Sequence, residues 1–129
     1  MGRKSALQKP LDKLVLKVHH VELTECKNLG EFKQAVRMMI RNMEATLSSL
    51  ARYEPDEARV RRAANNVKLA AVRLIQMGQA IPEEFDEPER WRESAIQIAA
   101  NYEQFRIEAG RLYRAAVPES RFPVLRSAL

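Results

Sequence analysis

Residues 91–116, WRESAIQIAANYEQFRIEAGRLYRAA, decide the fold. Trp91, Ala95, Ile98, Tyr102, Phe105, Ala109, Leu112 and Ala116 recur at steps of 4-3-4-3-4-3-4. That spacing places every apolar residue on one stripe of a helix, the heptad pattern that packs against a neighbouring helix. No other segment is as regular, and Pro88 supplies a suitable first-turn residue just before it. The helix is expected over 88–116.

Working back from this stripe, three further segments carry helical spacing. Pro55, Asp56 and Glu57 open one, with acids where the helix dipole favours them. Its stripe is Val60, Ala64, Val67, Ala71, Leu74 and Gly78, mostly small residues that let a neighbouring backbone come close, and it is expected over 55–79. Before it, Asn28 and Glu31 form an N-x-x-E pattern resembling a capping box. From there Leu29, Phe32, Val36, Met39, Met43 and Leu50 keep one face as far as Glu54-Pro55, where proline disfavours the α region for the preceding residue. This predicts a helix over 29–53. The first segment, 11–25, places Leu11, Leu14, Val18 and Val21 at helical steps, although Leu14, Leu16 and Val18 also alternate as in a strand. A strand has no partner segment elsewhere in the chain, so helix is the better reading. Four helices joined by short turns predict an all-α, antiparallel up-down four-helix bundle, one domain, with residues 117–129 as a short extended tail.

Composition agrees with this architecture. Hydrophobic residues are 46% and charged residues 30%, too apolar for a disordered chain. Four glycines argue against turn-rich β folds and phosphate-cradling loops, and one cysteine excludes a disulfide framework, a Cys-based zinc cluster and CxxCH haem attachment. The N-terminal MGRKSALQKPLDKL lacks the apolar core of a signal peptide, Ala6 breaks the acylation pattern that Met1-Gly2 begins, and no run is long enough to span a membrane. A cytoplasmic location without membrane attachment is the expectation.

A resemblance follows from FKQAV at 32–36 and IQMGQAIPEEF at 75–85, where Ala80, Pro82 and Phe85 form an A-x-P-x-x-F turn. An aromatic, Trp91, opens the next helix, which carries Tyr102, Phe105 and Leu112 and ends in the small pair Ala115-Ala116. Over about residues 29–116 the chain resembles the first three helices of the cytochrome c′ type of haem-binding four-helix bundle. The family's fourth helix holds its haem through CxxCH, which this chain lacks. The family also favours a basic residue four positions before a haem-facing apolar one on its first helix. Aligning FKQAV puts Lys33 at the basic position and Arg37 at the apolar one. The resemblance therefore implies the fold without covalent haem or electron transfer, and with no cofactor. Segment 11–25 is placed where the missing fourth helix would stand.

Several constellations bear on chemistry. His19 and His20 are the only histidines, and with Met39, Met43 or Met77 opposite they offer one route to a haem or metal ligand. Adjacent histidines point about 100° apart on a helix and cannot both ligate, so boundary histidines are the simpler account. The methionines at 38, 39 and 43 fit core filling better than ligation. A small apolar ligand among the small residues of the third segment is a further alternative. Cys26 stands alone at a segment end, with His19 or His20 as a conceivable base but no third member or oxyanion donor. Glu83, Glu84, Asp86, Glu87 and Glu89 crowd one connector, but no Glu-x-x-His pair accompanies them. No enzyme is expected.

Charge carries more information. Net charge is +5, from 22 basic and 17 acidic residues, and it is uneven. Arg37, Arg41 and Arg52 lie on the second segment, and Arg59, Arg61, Arg62, Lys68 and Arg73 on the third; Arg62, Asn66 and Arg73 share a face. Such a stripe can neutralise nucleic-acid phosphates, with Arg37, Arg41, Arg59, Arg62, Lys68 and Arg73 as the contact set. The plainer account is a solvated face with ion pairs such as Glu57–Arg61. The leading expectation is a non-catalytic helical-bundle binding protein, with a protein partner or a second copy docking along the fourth segment on Trp91, Tyr102 and Phe105. The alternative is a basic subunit associated with nucleic acid or ribonucleoprotein.

Overall fold

A computed structural model describes residues 23–116. Their regular structure is all helical, with no strand among the described residues: a 3-10 turn over Leu23–Glu25, then α1 (Leu29–Ala51), α2 (Ala58–Gln79) and α3 (Trp91–Ala116). The expected helix over 11–25 lies outside the described residues except at its last three positions, which form the 3-10 turn rather than α-helix. The tail at 117–129 is outside them as well.

Each helix starts or stops where a local competitor takes over the backbone groups. At α1 the Asn28 carboxamide accepts from the Glu31 backbone N–H at 2.9 Å, the expected cap. Glu31 in turn accepts from the Lys27 N–H at 3.1 Å, one residue further out than a capping box would have it. The helix ends at Ala51, two residues before the expected limit, because Arg52 and Tyr53 donate to Ser49 and Leu50 in tight i→i−3 bonds. α2 begins three residues later than expected, at Ala58. The carbonyls of Pro55 and Asp56 are taken by the Arg61 guanidinium, at 3.3 and 2.8 Å. The first helical bond runs instead from Arg61 N–H to Glu57 C=O. α3 likewise starts at Trp91 rather than Pro88, after i→i−3 bonds from Arg90, Arg92 and Glu93.

The three helices run up, down and up. Gly78, near the end of α2, sits against Val36 and Ile40 early in α1. Arg59, at the start of α2, donates to the Ala115 carbonyl near the end of α3 at 3.3 Å. Phe32 and Trp91 meet at 5.5 Å between ring centroids, tying together the first turns of α1 and α3. α2 packs along both neighbours, whereas α1 and α3 touch each other sparsely and the 3-10 turn rests mainly on α3 through the buried Leu23.

The heptad stripe of α3 faces this core. Trp91, Tyr102 and Phe105 are 3%, 4% and 0% exposed. They hold the fold from within, and their side chains are not surface anchors for a second copy, as the sequence had suggested. The heptad pattern that builds a bundle seam is the same one that builds an interface, and burial here assigns it to the seam.

At Gly78 the side chains of α1 come close to the α2 backbone. A Cβ there would stand 2.8 Å from Ile40 Cδ1 and 3.0 Å from Val36 Cγ1. Gly78→Val is expected to lower stability by about 1–3 kcal/mol through overpacking, read as a shift in the urea midpoint. A wild-type midpoint would show that the helices do not approach closely at this residue.

Candidate functional site

α2 differs from both of its neighbours in charge. α2 contains Arg59, Arg61, Arg62, Lys68 and Arg73 and no Asp or Glu over its whole length. Its inner stripe, Val60 to Gly78, is buried, so its polar residues are confined to the outer half. Leu69, at 69%, and Gln76 are exposed along the outer pole, and Arg62 and Arg73 are exposed on the shoulder beside it. On the flank toward α1, Arg61 and Lys68 line a surface hollow of mixed charge with Glu54, Asp56, Tyr53 and Asn65. A second hollow at the opposite end of the α1–α2 seam is lined by Lys33, Arg37, Ile40, Gly78 and Glu83. Arg41 follows Arg37 one turn along α1 and is exposed.

The pairing of these cations is the informative feature. Arg37 donates to the neutral Gln34 side chain at 3.1 Å. Arg41, Arg62, Lys68 and Arg73 form no ion pair with another described residue. Arg59 departs from the expected contact set: its Nε pairs with Glu57 at 3.1 Å and its Nη2 bonds Ala115 O. The expected Glu57–Arg61 pair does not form, because Arg61 closes the α1–α2 loop through backbone carbonyls. On α3 and its approach the opposite holds. Glu87–Arg90, Glu89–Arg92, Glu103–Arg106 and Glu108–Arg111 are each paired at i,i+3. Glu108 is nearly buried, and its Oε1 also accepts from Gln104 at 3.0 Å, an inward carboxylate that the apolar periodicity did not signal.

The other candidates come apart. His19 and His20 lie outside the described residues. Met39 and Met43 are fully buried in the core, and Met77 is a half-buried packing residue. The small residues of α2 are covered by neighbouring side chains, as Ile40 and Val36 cover Gly78. Among the described residues no group of three His, Cys, Asp or Glu side chains could hold a metal ion, and two of the connector acids, Glu87 and Glu89, pair with Arg90 and Arg92. No described helix is long and apolar enough to cross a membrane. Burial, and secondarily the Glu31 carboxylate, push the Cys26 thiol above its ordinary pKa. Burial and the Glu57 charge do the same to the Tyr53 phenol.

Compared with known proteins, the chain matches no family model, no curated protein and no solved structure.

A raised thiol pKa leaves less thiolate near neutral pH, the opposite of an activated nucleophile. Cys26 is expected to alkylate with iodoacetamide more slowly than free cysteine at the same pH. Faster alkylation would contradict the electrostatic environment described here.

Proposed function

We propose that this chain is a non-catalytic binding protein built as an up-down four-helix bundle, cytochrome c′-like in architecture without covalent haem, whose working surface is the outer face of α2 with the adjoining flank of α1. The fourth helix of this proposal is segment 11–25, on its sequence spacing alone. The observation that carries the functional reading is the set of cations on α1 and α2 without carboxylate partners among the described residues, beside an α3 in which Arg92, Arg106 and Arg111 are paired and Arg114 is not. Fixed charges of one sign raise the local potential and draw in partners of the other. The partner on this reading is an acidic macromolecule. Trp91, Tyr102 and Phe105 belong to the support of the face, not to the contact.

Two general polyanions test the reading. The protein is expected to be retained on immobilised heparin, and to bind labelled poly-glutamate, at about 0.1 M salt, where surface charges are screened beyond about 10 Å. Arg62→Glu/Arg73→Glu should elute from heparin well before wild type, and Arg90→Glu/Arg114→Glu, with the same change in net charge, only slightly before it. Failure of wild type to bind either polyanion, or equal loss in both variants, would overturn the reading.

A further inference from the structure

The cations of this face are arranged, and not merely numerous. The crest of α2 is neutral: Asn65, Leu69 and Gln76 succeed one another at helical steps along its outer side. On one side of the crest stand Arg62 and Arg73, three turns and therefore about 16 Å apart. On the other stands Lys68, in a hollow of the α1–α2 seam that Glu54 and Asp56 also line, and past the exposed Glu44 stand Arg41 and Arg37 on α1. A single carboxylate or a free phosphate needs cations converging on one point. Here they diverge to the two sides of the neutral crest of α2, a layout suited to a partner bearing two rows of anions.

Resting on the reading of this face as the surface for an acidic macromolecule, we propose that the partner is a nucleic-acid duplex, held by its phosphate backbone. The two rows of cations meet phosphates of the two strands that border a groove, and α2 lies along that groove. B-form DNA has a major groove wide enough to admit a helix. Arginine suits the task because its planar fork meets phosphate oxygens bidentately, and Asn65 and Gln76 add neutral donors on the crest. Single strands are gripped chiefly by stacking bases on exposed aromatic rings. Every aromatic side chain among the described residues is buried or half-buried, with Phe85 the half-buried one. The contact is accordingly electrostatic, indifferent to sequence and stronger for duplex than for single strand.

The test is fluorescence anisotropy of a labelled mixed-sequence DNA duplex of about two helical turns, with its single strands and poly-glutamate as parallel probes. Five cations each releasing a counterion give a log–log salt slope of about −4.5, so affinity should fall by about 10²–10³-fold between about 50 and about 200 mM salt. Arg62→Glu/Arg73→Glu should weaken duplex binding at least tenfold more than Arg90→Glu/Arg114→Glu. All four positions are exposed, and circular dichroism verifies folding; Arg62→Gln/Arg73→Gln should show a smaller loss in the same direction. A duplex left unbound at low salt while poly-glutamate binds would overturn this inference and leave the acidic-partner reading standing. Loss of both would remove both. Single strands binding as tightly as duplex, or equal losses in the two charge-reversed variants, would also overturn it.

Discussion

α1 and α3 are both built onto the inner stripe of α2, and that shared packing constrains everything else. The stripe is largely small: Ala64, Ala71 and Gly78 alternate with Val60, Val67 and Leu74. Small residues allow the neighbouring helices to come close, to the point that a single methyl group at Gly78 would collide with Ile40. Close packing makes such contacts sensitive to a methylene or less. Because one narrow face must serve two neighbours, α2 has room for charge only on its outside. The large residues that fill the core come instead from α1 and α3, including the Phe32–Trp91 pair that joins their first turns.

The same division explains the electrostatics. A surface helix can neutralise itself with i,i+3 and i,i+4 pairs, each stabilising by a few tenths of a kcal/mol. α3 does so with Glu103–Arg106 and Glu108–Arg111. α2 cannot, since it has no acidic residue within its bounds, and the one carboxylate at its edge, Glu57, is used by Arg59. Exposed pairs contribute little to stability, so leaving them out costs the fold little. What remains among the described residues is a helix whose exposed cations Arg62, Lys68 and Arg73 have no carboxylate partner on it.

Much of this was legible in the sequence, for reasons that differ by residue. The 4-3 spacing from Trp91 to Ala116 and the Asn28 cap are local signals, and both appear in the structure. The ends of the helices were less legible, because they depend on side chains competing for carbonyls. Arg61 reaches back to Pro55 and Asp56, and this delays the start of α2 in a way no periodicity reveals. Trp91, Tyr102 and Phe105 were read as partner anchors because an apolar stripe has the same spacing whether its neighbour is in the same chain or another. The basic surface was visible as composition. Which of its cations are paired depends on rotamers and on nearby carboxylates, so Arg59 could be separated from Arg62, Lys68 and Arg73 only in three dimensions.

The central claim is that the cations of the α1–α2 face are uncompensated within the described fold. The most direct measurement is the unfolding midpoint as a function of sodium chloride. Like charges without partners repel, and salt relieves that repulsion as the screening length shortens from about 30 Å at 0.01 M to about 8 Å at 0.15 M. The midpoint is predicted to rise over this range, by about 2 °C for about 0.5 kcal/mol of relief. A midpoint that falls as salt is added would mean that attractive pairs dominate the surface, and would contradict it.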